Sequence, residues 1–217
     1  MKKPDVRALI EEIGIIPVIG VSLGLARFAA EAVNRAGIHI MEVNATAPGA
    51  TDVITHLTQE ISNMAVGAGT VLDTATAGLC VDAGAMFLTS PGLDVALVEF
   101  AIQNNVVVFP GALTPTEVHT AWKAGADFVK IFPCAQVGGE SYIRALNASM
   151  PQIPLIASGG INQNNAFNFI AAGAIALGVG GELIPKEALL LRQEERIQEL
   201  ARRFLEAVNK ARAQKPK

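Results

Sequence analysis

Tyrosine and tryptophan occur once each, and all aromatic residues together make up only 5% of the 217 residues. A core so poor in rings has to be built from aliphatic side chains. Hydrophobic residues fill 51% of the chain, a combination that suits strands buried on both faces. Cysteine is nearly missing as well. Cys80 and Cys134 form no CxxC pair and no metal-type spacing, which excludes a disulfide framework and points to reduced thiols in the cytoplasm. The three histidines, His39, His56 and His119, are scattered, so no pair has metal-ligand spacing. Charged residues are sparse at 17%, and a net charge of −3 leaves no basic footprint for nucleic acid. No apolar run reaches the ~18 residues of a membrane span, because Gly, Pro or a charge interrupts each one. The opening MKKPDVRALIEEIG mixes acids with apolar residues and reads as an amphipathic leading helix over 1–14, not as a signal peptide. These exclusions leave a single domain over 1–217 whose partner is a small molecule.

What the chain does have is a repeat. Four times Ala-Gly closes a helical stretch and an apolar run follows: AGIHIMEV from Ala36, AGAMFLTS from Ala83, AGADFVKIF from Ala124 and AGAIALGVG from Ala172. Glycine just past a helix end is the expected left-handed cap, so each segment reads as helix, cap, strand. The starts lie 47, 41 and 48 residues apart, about twice one β/α unit. Between them stand four short apolar runs ending in glycine: IIPVIG from Ile15, MAVGAGT from Met64, VVVFPGA from Val106 and IPLIASGG from Ile153. Helix-length stretches with caps at Asp73, Asp94, Thr114 and Asn162 separate the runs. Eight strands thus alternate with eight helices, plus the leading helix and a charged helix near 191–212. Apolar strands with helical crossovers demand a parallel sheet covered on both faces. Eight units in this length predict an α/β fold of the (β/α)8 (TIM) barrel type. An open doubly wound sheet is the rival, but no GxGxxG follows the first strand.

In such barrels the reactive groups lie at the C-terminal ends of the strands. Of eight lysines, only Lys130 sits inside an apolar strand, in Phe128-Val129-Lys130-Ile131-Phe132. Alternation puts Phe128, Lys130 and Phe132 on one face. Desolvation there works against an ammonium and favours the amine that attacks a ketone. Glu42 is the complement. It shares a face with Ile40 and Asn44 on strand two, which stands across the barrel from strand six, so the two side chains can converge over the mouth. Together they supply an imine-forming amine and a proton shuttle. A buried structural ion pair accounts for the same two residues and stays open. The last strands end in Ser158-Gly159-Gly160 and in Gly178-Val179-Gly180-Gly181, glycines that let backbone amides approach an anion. Thr70 and Ser90-Pro91-Gly92 add small groups at two other strand ends. His39 and Met41 face the helices, and Cys134 and Trp122 read as packing. Leu23, Leu25 and Phe28 read as apolar helix residues left exposed for a subunit contact.

The set Glu42-Val43, Gly67-Ala68-Gly69-Thr70, Ser90-Pro91-Gly92, Pro110 to Glu117, Lys130-Ile131-Phe132-Pro133 and Gly159-Gly160-Ile161 resembles the KDPG/KHG aldolases. These are the class I 2-keto-3-deoxy-6-phosphogluconate and 4-hydroxy-2-oxoglutarate aldolases. The likeness runs in order from Ile15 to about Pro185. It implies a cytoplasmic homotrimer of carbohydrate metabolism that splits a 2-keto-4-hydroxy acid into pyruvate and an aldehyde. No metal or organic cofactor is implied. Lys130 matches the Schiff-base lysine and Glu42 the acid/base residue. Thr70, Pro91 and Phe132 match positions around the pyruvate site, and Ser158, Gly159, Gly160, Gly180 and Gly181 match the anion loops. The chain departs from the pattern where the family places an arginine near the substrate carboxylate, at positions here occupied by Gly20 and Thr46. Glu182 stands where many relatives carry a phosphate-binding serine. Two other functions fit these residues: a phosphosugar isomerase or epimerase with Glu42 as base, and a barrel with a vestigial or re-engineered site serving as an assembly subunit.

Overall fold

In the computed structural model, which describes residues 1–214, a leading helix α1 (Lys3–Ile13) precedes strand β1 (Ile15–Ile19). Helix and strand then alternate: α2 (Leu23–Arg35), β2 (Ile40–Asn44), α3 (Ala50–Glu60), β3 (Ala65–Gly69), α4 (Thr74–Asp82), β4 (Phe87–Thr89) and α5 (Val95–Gln103). The fifth strand is broken into β5 (Val107–Phe109) and β6 (Gly111–Ala112). There follow α6 (Pro115–Lys123), β7 (Val129–Ile131), α7 (Gly139–Ser149), β8 (Leu155–Ser158), α8 (Ala166–Ala171) and β9 (Ala176–Val179). The chain ends with α9 (Lys186–Leu190) and α10 (Glu194–Ala213).

All the ladders are parallel, in the order β5-β4-β3-β2-β1-β9-β8-β7-β6. The two outermost segments of that order are neighbours in sequence, so the ring closes through Pro110. Nine segments therefore make the expected eight staves. Proline has no N–H to give to a ladder, which is why the fifth stave breaks there. The seam is still bonded: Lys130 N–H donates to the Pro110 carbonyl at 3.0 Å, and the buried Asp127 carboxylate accepts from Val108 N–H at 2.9 Å.

Local signals explain the element ends. Gly37, Gly84, Gly125 and Gly173 all have positive φ just past a helix, as the Ala-Gly repeat predicts. Asp73 accepts from Thr76 N–H and Asp94 from Ala96 N–H, and Thr114 with Glu117 forms a capping box ahead of Pro115. Asn162 departs from expectation. Its carboxamide oxygen closes a turn by accepting from Asn164 and Asn165 N–H, and α8 starts four residues later, with Asn165 as its cap. The C-terminal helix begins at Glu194 rather than 191, because Arg192 takes a left-handed conformation between α9 and α10.

The barrel floor is aromatic. Phe87 and Phe109 stack at 5.4 Å, and Phe109 meets Phe128 edge-on at 6.2 Å; such pairs add about 0.5–1.5 kcal/mol beyond burial. Helix α1 closes this end. Val6 and Ile10 are buried, the Arg7 guanidinium lies 5.4 Å from the Phe128 ring centre, and Lys3 pairs with Asp127 at 2.9 Å. The Arg212 guanidinium of α10 donates to the carbonyls of Glu11, Glu12 and Ile175, and burial lowers its pKa from the ordinary arginine range.

Three smaller expectations change. Leu25 and Phe28 are half-buried within the chain, Phe28 lying under the Arg192 guanidinium at 5.0 Å. Of that trio only Leu23 is exposed; the other exposed apolar side chains include Leu72, Leu79, Val95 and Ile102. His56 is not isolated, since its Nε2 lies 3.1 Å from Glu60.

Candidate active site

The inner face of each stave is set by alternation, and the register places the chemistry. Glu42 pairs with Val18 and Gly67 on the neighbouring strands; Lys130 pairs with Gly111 and Ile156. Both side chains rise from opposite walls into the mouth and are almost buried, Lys130 at 8% and Glu42 at 3% exposure. Lys130 Nζ lies 3.6 Å from Glu42 Oε1, an ion-pair distance rather than a hydrogen bond. It also sits 5.5 Å from the centre of the Phe132 ring, within cation–π range. Glu42 reaches this position only because residue 69 is glycine: a Cβ there would lie 1.9 Å from Oε1.

The pair opens into a cleft of about 350 Å³. The ten residues assigned a catalytic or substrate-binding role all line it: Lys130, Glu42, Thr70, Pro91, Phe132, Ser158, Gly159, Gly160, Gly180 and Gly181. Thr70 holds a left-handed φ of 54° and donates its hydroxyl proton to Asn44 Oδ1 at 3.1 Å. Ser158 donates to the Gly178 carbonyl at 3.4 Å. Gly159 has φ of 87°, and a Cβ there would press on Pro133 and the Phe132 ring, so the loop after β8 can turn over the site only without side chains.

Three lining residues, Val18, Asn44 and Ile161, carry no assigned role in the sequence reading. Alternation was signal enough for the first two, since Val18 follows Ile16 by two and Asn44 follows Glu42 by two. Glu182 lines the cleft and is exposed. Gly20 lines an adjoining apolar pocket, and Thr46 is exposed away from the cleft. The charged residues lining the cleft are thus Glu42, Lys130 and Glu182. Cys134 is fully buried, and burial together with Glu140 pushes its thiol up to about 12, so it stays protonated and inert. Among the described residues no group of three or more His, Cys, Asp or Glu side chains could hold a metal ion, and no helix is long and apolar enough to cross a membrane.

The profile of the family described as KDPG and KHG aldolase matches residues 6–200. The chain belongs to that family. Its members are aldehyde-lyases. The KHG/KDPG aldolase of Escherichia coli K12 is 31% identical over 193 residues, covering 88% of this chain and 91% of its own. A structure described as the KDPG aldolase of Legionella pneumophila with pyruvate captured as a covalent carbinolamine intermediate superposes with a TM-score of 0.85. It is 29% identical and covers 90% of this chain and 96% of that one. A cube-shaped protein cage designed by fusing symmetric oligomeric domains matches with a TM-score of 0.84 and 28% identity, over 94% of this chain and 74% of the cage chain.

Proposed function

We propose that the chain is a class I aldolase that cleaves a 2-keto-4-hydroxy acid to pyruvate and an aldehyde, with Lys130 as the imine-forming residue and Glu42 as its acid/base partner. The substrate is a compound of the type of 2-keto-3-deoxy-6-phosphogluconate or 4-hydroxy-2-oxoglutarate. The observation that carries this reading is the nearly buried Lys130–Glu42 pair, 3.6 Å apart above the apolar floor of the barrel.

A proton passed from Lys130 to Glu42 leaves a neutral amine, which attacks the 2-keto carbon to give a carbinolamine. Glu42 returns that proton to the carbinolamine hydroxyl, which leaves as water and forms the iminium, an electron sink on C2. Glu42, again a carboxylate, then accepts the C4 hydroxyl proton through a water. The C3–C4 bond breaks, its electron pair forms the enamine, and the aldehyde departs. Glu42 returns the proton to C3, and water hydrolyses the pyruvate iminium to release pyruvate and regenerate the amine. Thr70, Pro91 and Phe132 enclose the pyruvate portion. Ser158 and the amides around Gly159, Gly160, Gly180 and Gly181 face the distal end of the substrate, where an anion can accept from them. Glu182 at the same rim opposes a phosphate there.

The test is reductive trapping. Incubation with pyruvate and borohydride should add one pyruvate-sized mass to the wild type and none to Lys130→Met. A wild type that takes up no adduct at high pyruvate would rule the reading out.

Association into a homotrimer belongs to the same proposal. It is supported by the exposed apolar residues Leu72, Leu79, Val95 and Ile102, of which Leu72 and Leu79 are 60% and 63% exposed. The buried, unpaired thiols of Cys80 and Cys134 suit a reducing cytoplasm.

A further inference from the structure

One buried hydroxyl plays no part in the chemistry described so far. Thr89, at the end of β4, is fully buried, and its Oγ1 has no hydrogen-bond partner among the described residues. It points into the barrel. Phe87, two residues earlier, presses its ring where a Gly67 side chain would stand and stacks on Phe109, and alternation puts Thr89 on the same inner face. It also stands beside the catalytic carboxylate. Ala68 pairs with Leu88, so one step further Gly69 neighbours Thr89 on the inner surface. Gly69 is the residue over which the Glu42 carboxylate lies.

Glu42 is short of hydrogen bonds as well. Its nearest cation is 3.6 Å away, and no side-chain or backbone donor among the described residues bonds to it. A carboxylate whose one close partner is the Lys130 ammonium and a hydroxyl with none thus lie about one strand spacing apart, ~4.8 Å. Buried polar groups are rarely left so, and a separation of this size is one that a single water bridges.

We propose that Thr89 is a positioning residue whose hydroxyl anchors the water through which Glu42 exchanges its proton with the substrate. The proposal rests on the imine reading above. During enolisation of the pyruvate iminium, the C3–H bond breaks and its electron pair forms the enamine double bond as the C2=N pair returns to nitrogen. The proton passes to the water while the water gives one of its own to Glu42. Reversal protonates C3. Thr89 holds the water between those two points and exchanges no bond itself.

The experiment follows deuterium uptake at C3 of pyruvate in D2O, beside borohydride trapping and thermal melting, in wild type, Thr89→Val and Thr89→Ser. Valine keeps the shape and removes the hydroxyl, so a purely structural hydroxyl leaves exchange unchanged. The expected result is that Thr89→Val traps pyruvate as fully as wild type and melts at the same or a higher temperature, yet exchanges C3 protons at least about tenfold more slowly. Thr89→Ser should recover most of that rate. Wild-type exchange in Thr89→Val overturns the proposal, as does a joint loss of trapping and exchange in both variants. A wild type that fails to trap pyruvate defeats the imine reading itself and this proposal with it.

Discussion

The floor and the mouth of this barrel are built from the same staves, two residues apart, and they have opposite chemistry. On β2 the inner face runs Ile40 then Glu42; on β4, Phe87 then Thr89; entering β7, Phe128 then Lys130; on β8, Ile156 then Ser158. The lower member of each pair packs into an apolar plug sealed by α1. The upper member is polar, nearly or fully buried, and in three of the four cases lines the cleft. Stability and reactivity are therefore segregated by height along the strand. One step of the side-chain period separates a residue that holds the fold from one that performs the reaction.

That contrast can be broken most sharply on the sixth stave. Lys130→Met should remove about three or more orders of magnitude from kcat, measured with a 2-keto-4-hydroxy acid. It should also lower stability by about 1–3 kcal/mol, because Glu42 is left buried without its cation. Adding Glu42→Gln should restore much of that stability and none of the activity. Phe128→Ala, two residues away, should do the reverse. Denaturant unfolding should show a loss of about 3–5 kcal/mol from the cavity left under α1, while kcat in the folded fraction stays near wild type. If Phe128→Ala lost activity as Lys130→Met does while remaining folded, floor and mouth would not be separable.

A smaller effect tests the rim. Glu182→Ser should lower KM for a phosphorylated substrate by about tenfold, from removing one like charge facing a dianion, and change KM for a neutral analogue little. The smallest effect lies outside the barrel's interior. The N–H groups of Leu113 and Thr114 hold the Glu117 carboxyl below the usual carboxylate range. A depressed pKa of this kind adds stability that is complete above the unfolded value of about 4.3 and is lost as pH falls through the lower folded value. The melting temperature gap between wild type and Glu117→Gln, a cap worth about 1 kcal/mol, should therefore close with acidification below that range. The gap for Phe128→Ala should persist.

Much of this organisation is legible in the sequence because it is local. The Ala-Gly repeat announces four helix ends, and each of its glycines has positive φ. A lysine flanked by Val129 and Ile131 is conspicuous wherever it falls, and Glu42 equally so. What escapes is whatever depends on a partner distant in the chain. Thr89 reads as an ordinary strand residue until Gly69 brings Glu42 beside it. Asp127 carries no reading from sequence, and only the seam at Pro110 makes it a partner for Val108 N–H and Lys3. Leu25 and Phe28 look free for a neighbouring subunit, yet Arg192, more than 160 residues onward, covers Phe28. Asn162 fails for a different reason: a carboxamide that caps a helix also closes a turn, and here the turn won.

Arg212 gives the molecule a clasp. Its guanidinium grips the end of the first helix through the Glu11 and Glu12 carbonyls, and grips the lead-in to the last stave through Ile175. Helices α1 and α10 are thereby fastened to each other on the side away from the catalytic opening. Loosening either one loosens its counterpart, so fraying that starts at a terminus loosens the aromatic base before it can disturb the reactive rim.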